Sequence, residues 1–297
     1  MKSATSSLHH LLSQHEDVHL PSQETHFFSM DDLVQHPDFL KAKGEHTIPD
    51  YNRDFRQNLK WYTDFFAPAQ DDQLIGDYSS LYLCSPEAPH RISALLPGVK
   101  LIFMLRNPVN RTYSHYFHRV KTGRAVFSFE NELQNGPSTL HIRSFYKPQL
   151  KRYLDLFSRD QIKIIIFERF VSNTQEVLDE VCSFLGLSSS LDVEESNPHR
   201  NKSPTFRSHS LQLLLNYLTF GLENPYEDHL PNTELSFSNW FIKGVLHRIR
   251  KLNLGAGSRP PMKESVRRRL EDLYARKNHG LGDLIGINLS QYWPRIE

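Results

Sequence analysis

An α/β fold, a parallel sheet flanked by helices, is predicted by the alternation of strand and helix signals along this chain. Residues 99–105 and 161–167 are short β-branched or aromatic runs bounded by turn signals or charge, and residues 73–77 form a shorter third. Between and around them, residues 86–96, 108–121, 148–157 and 173–187 carry apolar side chains at three- and four-residue spacing. The length of 297 residues with 38% hydrophobic content suits one core, and no repeat or linker interrupts it. A single domain over 1–297 is therefore expected.

Each element has a local reason. Ser85-Pro86 and Asn107-Pro108 put a capping residue before a proline suited to the first helical position, and Gly186 reads as a helix stop. From Ser188 onward the pattern predicts helices and no strand: residues 208–220, 236–254 and 261–275, with 221–260 a candidate lid or insertion. The last helix carries Val266, Leu270, Leu273 and Tyr274 on one face, and the arginines around them read as a solvated face.

Composition narrows the function. A net charge of +1 argues against a general polyanion binder, so no nucleic-acid partner is expected. No run approaches the roughly 18 to 20 apolar residues of a membrane span, and the start MKSATSSLHH lacks the apolar core of a signal peptide. A cytoplasmic location follows as the expectation, with the Golgi lumen open if an anchor lies upstream. Cys84 and Cys182 are too few for a disulfide framework or a zinc site and read as reduced core thiols.

Two stretches carry chemistry. In Lys2-Ser-Ala-Thr-Ser-Ser-Leu8, small hydroxylated residues run into a helix with Leu8, Leu11 and Leu12 on one face. Such a turn can hold phosphate through backbone N–H groups and a lysine, although an ordinary Ser/Thr-capped helix would read the same way. In the second, Arg106 ends a buried strand and Ser114 lies on the following helix. Ligands of open α/β sheets bind at the C-terminal ends of strands, where an arginine can chelate a phosphate with two parallel hydrogen bonds.

Together these stretches resemble the sulfotransferase family that uses 3'-phosphoadenosine 5'-phosphosulfate (PAPS), especially its heparan-sulfate-type and bacterial branches. Lys2-Ser-Ala-Thr-Ser-Ser-Leu8 is similar to the family's 5'-phosphosulfate loop, and Arg106 with Ser114 matches the pair that holds the 3'-phosphate. Ser13-Gln-His-Glu-Asp-Val-His19, Glu24-Thr-His-Phe-Phe28, Lys60-Trp-Tyr-Thr-Asp-Phe-Phe66, Gly76-Asp-Tyr-Ser-Ser80, Tyr146-Lys-Pro-Gln-Leu150 and Phe184-Leu-Gly-Leu187 extend the likeness in order along the chain.

The resemblance implies a P-loop-like parallel sheet and transfer of a sulfo group from PAPS, the co-substrate, to an acceptor hydroxyl on a glycan, lipid or small molecule, with no metal. Lys2, Ser3, Ala4, Thr5, Ser6, Ser7, Arg106 and Ser114 would bind the nucleotide. Lys2 would stabilise the leaving phosphate, Glu24 would be the general base, and His26 would orient the sulfo group or the acceptor. Phe27 and Phe28 are expected in the core; Lys202 and Arg207 lie in a loop that could close over the phosphates.

Three features depart from the family pattern. Family members place a buried strand before the loop lysine, whereas here only Met1 precedes Lys2, so this first strand is expected upstream of the chain. Ser3 and Ala4 replace loop glycines, and Tyr78 stands where heparan-type enzymes carry a lysine, which argues against a heparan acceptor. Two other function classes remain open at this level: a noncatalytic nucleotide-binding protein, and a P-loop kinase with Asp77 as its magnesium carboxylate. The absence of G-x-x-x-x-G-K-[ST] weighs against the kinase.

Overall fold

The computed structural model describes residues 2–32, 55–187, 191, 205–220, 237–255 and 257–296. In chain order the first elements are α1 (Thr5–Leu12), β1 (Val18–His19), α2 (Leu59–Asp64), β2 (Leu74–Ile75), α3 (Ala88–Leu95), β3 (Leu101–Leu105) and α4 (Pro108–Lys121). Then come α5 (Phe129–Asn135), α6 (Thr139–Ile142), α7 (Tyr146–Leu154), β4 (Ile162–Ile166), α8 (Phe167–Ser172) and α9 (Thr174–Leu185). The C-terminal part contains β5 (Thr205–Phe206), α10 (His209–Phe220), α11 (Phe237–Asn253), β6 (Leu254–Gly255), α12 (Glu264–Asn278) and α13 (Leu281–Ile285).

The parallel α/β character is as expected. β3 pairs with β4 in parallel from Leu101↔Ile162 to Leu105↔Ile166, and β1 pairs with β2 in parallel. Among the described residues the strands come as two-stranded pairs rather than one continuous sheet. One expectation fails: β5 and β6 form a two-residue antiparallel bridge, Thr205↔Gly255 and Phe206↔Leu254, where the sequence predicts no strand. Two residues show no period-two pattern, so nothing local announces them.

Side chains alternate across β3 and β4, which is how one ribbon serves two cores. Phe103, Leu105 and Ile166 enter the larger cluster with Val109 and Tyr116 of α4, Leu150 of α7 and Tyr274 of α12. Met104 and Ile165 enter the smaller one with Leu8, Leu11 and Leu12 of α1 and Val177, Leu178 and Val181 of α9. The helix that carries the Lys2 loop is thus clamped on the ribbon that ends in Arg106. Phe27 and Phe28 are both core residues.

Caps explain the boundaries. Asn107 Oδ1 accepts from Asn110 N at 3.1 Å ahead of Pro108. Ser85 Oγ accepts from Glu87 N and Ala88 N, but Pro86 lies in the turn and α3 starts two residues later than predicted. Cys182 is buried and free, and Cys84 is half-buried with its thiol directed to Leu81 O. The tail of the proposed lid, α11, packs beside α10; residues 221–236 and Lys202 lie outside the described residues.

Gly186 ends α9 at φ 85°, its N–H bonded to Cys182 O, with Leu187 N closing onto the same carbonyl at 2.8 Å. A Cβ there would meet nothing within 4 Å, so the only cost of Gly186→Ala is left-handed backbone strain. We expect a loss of about 1–2 kcal/mol with unchanged m-value in urea unfolding.

Candidate active site

The turn before α1 has an unusual backbone. Lys2 and Ala4 both adopt φ 63°, with Ser3 buried between them. Ala4 is the N-cap of α1 and offers no side-chain cap, while its carbonyl accepts from Ser7 N and Leu8 N. The N–H groups of Thr5 and Ser6 precede the first intrahelical bond, and α1 has no acidic residue in its first turn. A short concave turn of this kind presents backbone N–H groups to an anion.

Arg106, eight residues before Ser114 and a hundred after the loop, reaches that turn directly. Its Nη1 donates to Lys2 O at 3.0 Å, its guanidinium lies 4.3 Å from the Phe167 ring centroid, and Tyr146 OH donates to Arg106 O at 2.8 Å. The Nε atom is buried with no hydrogen-bond partner. Ser114 shares a stripe of α4 with His118 and Lys121, four and seven residues on. Burial lowers the His118 pKa to about 3, and the charges of Lys2, Arg124 and Lys121 reinforce the shift.

Electrostatics draws the same group together. Burial pulls the Lys2 ammonium down to about 8, helped by the positive charges of Lys121, Arg259 and Arg106 and opposed by Glu24. Burial also lowers Arg106 and Arg259, with Glu168 acting the other way on Arg106 and Tyr113 on Arg259. Sequence reasoning missed Arg259, His118 and Lys121. Arg259 stands alone in a Gly- and Pro-rich turn, its guanidinium 5.1 Å from the Phe117 ring centroid, and no spacing rule connects it to residue 2. Arg207 instead belongs to the β5 bridge, where its N–H donates to Asn253 O.

The segment Glu24-Thr25-His26 faces residues 77–80. Glu24 Oε2 accepts from Ser80 N and Ser80 Oγ, both at 2.8 Å, and lies 3.5 Å from His26 Nε2. None of these contacts uses Oε1. His26 Nδ1 is 2.8 Å from Ser79 Oγ, and with the hydroxyl donating there the imidazole proton sits on Nε2, facing Glu24. His26 adopts φ 53°, a strained setting for a non-glycine residue. Tyr78 packs against His9 with ring centroids 3.9 Å apart.

Asp77 accepts from Thr25 Oγ1, Tyr82 OH and Tyr62 OH at 2.9, 2.7 and 3.3 Å. Its carboxylate is therefore engaged by hydroxyls, which disfavours the kinase reading that would aim it at magnesium. Among the described residues no His, Cys, Asp and Glu group suits a metal ion. Nor is any described helix long and apolar enough to cross a membrane.

Ala4 holds a left-handed conformation that glycine adopts freely. Ala4→Gly should stabilise the fold by about 0.5–1 kcal/mol, read as a higher melting temperature, because strain relief exceeds the added chain entropy.

Comparison with known proteins gives the family and the fold. The model of the sulfotransferase family matches residues 1–190. The bifunctional heparan sulfate N-deacetylase/N-sulfotransferase 3 of Mus musculus is 30% identical over 199 residues, covering 60% of this chain and 22% of that protein. Heparan sulfate glucosamine 3-O-sulfotransferase 3A1 of Mus musculus is 28% identical over 194 residues, covering 63% and 44%. The chain thus matches less than half the length of either relative. The crystal structure of a sulfotransferase from Alicyclobacillus acidocaldarius superposes with a TM-score of 0.59 at 24% identity, covering 98% of this chain and 94% of that one, which establishes a shared fold. With the family model spanning well over half its length, the chain belongs to the sulfotransferase family.

Proposed function

We propose that this protein transfers a sulfo group from PAPS to an acceptor hydroxyl. The observation that carries the reading is the strained Lys2 turn, whose carbonyl Arg106 Nη1 reaches at 3.0 Å and whose ammonium feels the charges of Lys121, Arg259 and Glu24. The residues fit a polyanionic nucleotide: Arg106 Nε is buried without a partner, and the Lys2 ammonium is depressed by burial and then by the cations around it, which a bound anion would offset. Arg106 and Ser114 would hold the 3'-phosphate, and the turn from Lys2 to Ser7 the 5'-phosphosulfate. A noncatalytic nucleotide-binding protein would need the cations but not the Glu24–His26 pair.

In this mechanism Glu24 takes the proton of the acceptor hydroxyl as its oxygen bonds to sulfur. Lys2 neutralises the charge gathering on the phosphate oxygen as the sulfur–oxygen bond to the nucleotide breaks, and the 3',5'-bisphosphate leaves with that electron pair. His26 orients the sulfo group or the acceptor. The acceptor is a glycan, lipid or small molecule, and Tyr78 beside His9 offers it a neutral aromatic surface near Glu24.

Glu24→Gln should lower single-turnover transfer of radiolabelled sulfate by about two or more orders of magnitude and leave adenosine 3',5'-bisphosphate affinity unchanged. Arg106→Ala should cost about 1.5–3 kcal/mol of bisphosphate binding by calorimetry and spare adenosine 5'-phosphosulfate, which lacks the 3'-phosphate. Equal weakening of both would assign Arg106 to bracing Lys2 O instead. Only the ammonium form of Lys2 attracts phosphate, so bisphosphate affinity should fall about tenfold between pH 7 and pH 9 as Lys2 deprotonates near 8. Lys2→Met should flatten that profile.

A further inference from the structure

We propose that Asp77 is the positioning residue of the Glu24–His26 pair, holding the segment between them through Thr25. The proposal rests on the reading of Glu24 as base. Two short segments meet here through three successive clasps: Glu24 with Ser80, Thr25 with Asp77, and His26 with Ser79. The outer two hold the side chains assigned to the reaction, and the middle one fixes the backbone that connects them. Thr25 is 1% exposed, and its single hydroxyl proton is shared between both Asp77 oxygens, each at 2.9 Å. Thr25 is drawn inward to Asp77 while Glu24 and His26, on either side of it, are held to Ser80 and Ser79.

Asp77 is in turn tied to the aromatic core. Tyr62 OH and Tyr82 OH both donate to its Oδ2, the Tyr62 ring stacks on Phe27 at 4.1 Å, and the Tyr82 ring meets Phe28 edge-on at 5.5 Å. Phe27 and Phe28 follow His26 directly, so the carboxylate holds both ends of the turn that forces His26 to positive φ. The titratable groups facing Asp77 are Tyr62, Tyr78 and Tyr82, and hydroxyls rather than cations meet its oxygens. Burial pushes its pKa up to about 6 even though those hydroxyls act to lower it. Burial alone would favour a neutral side chain there; a carboxylate, with about four acceptor positions, can take all three hydroxyls where an amide oxygen takes two.

The test compares Asp77→Asn, Thr25→Val and Thr25→Ser in the full chain. Three readouts are followed: kcat with PAPS, bisphosphate affinity by calorimetry, and the NMR titration midpoint of the His26 imidazole without nucleotide, assigned with His26→Asn. Asp77→Asn and Thr25→Val should each lower kcat by about 10²-fold, shift the His26 midpoint and leave bisphosphate affinity within about twofold, while Thr25→Ser should behave as wild type. The proposal is overturned if Asp77→Asn and Thr25→Val leave the His26 midpoint in place, or if nucleotide affinity and melting temperature fall in step with kcat. A wild-type chain that transfers no sulfo group, with a midpoint that still moves in Asp77→Asn, would uphold the positioning and remove Glu24 as base.

Discussion

An excess of positive charge around Lys2 is the constraint on which the rest of the site depends. Lys121, Arg259 and Arg106 act on the Lys2 charge by repulsion, with Lys2, Arg106 and Arg259 half-buried and Lys121 exposed, while Glu24 opposes them at Lys2 and Glu168 favours the charge on Arg106. Arg106 leans on the Phe167 ring and on the Lys2 carbonyl; Arg259 lies over Phe117; Lys121 ends a helix, where the dipole favours a cation. These supports are aromatic faces and backbone dipoles, which steady a cation without neutralising it.

That arrangement needs a rigid base. Alternate residues of β3 and β4 anchor two cores, one holding α1 and the other α4, so the Lys2 turn and the stripe bearing Ser114 are referred to the same pair of strands. Backbone strain is concentrated at the same place. The non-glycine residues with positive φ among those described are Lys2, Ala4 and His26, all in the turn or beside Glu24. Left-handed geometry at such residues costs about 1–2 kcal/mol each, and persists where surrounding contacts over-determine it. For Lys2 the Arg106 bond to its carbonyl is one such contact, and for His26 the Ser79 bond is another.

Charge is also sorted by sign. The cations come from the loop, the end of β3, α4 and the segment before α12, whereas Glu24 and Asp77 lie among hydroxyls of Ser80, Thr25, Tyr62 and Tyr82. Keeping the carboxylates on hydroxyls, with Glu24 the acid that bears on Lys2, prevents the site from closing on itself as a set of ion pairs.

The strong strands and the longer helices were legible because their patterns are local: β3, β4 and α4 lie within two residues of expectation, and Gly186 stops α9 as its φ requires. The Lys2 turn, Arg106 with Ser114, and Glu24 with His26 are short strings that the sequence singles out; the structure joins Arg106 to Lys2 O and sets Glu24 3.5 Å from His26. By contrast the β5–β6 bridge, the role of Arg259 and the hold of Asp77 on Thr25 join positions 50 or more residues apart with no shared period. The sequence by itself determined which residue types were available and which short segments would be strand, helix or tight turn, because those depend on backbone geometry over a few residues. Only the tertiary structure decided which cations meet at Lys2 and which hydroxyls meet at Asp77, because long-range packing brings those side chains within the few ångströms over which charge and hydrogen bonds act.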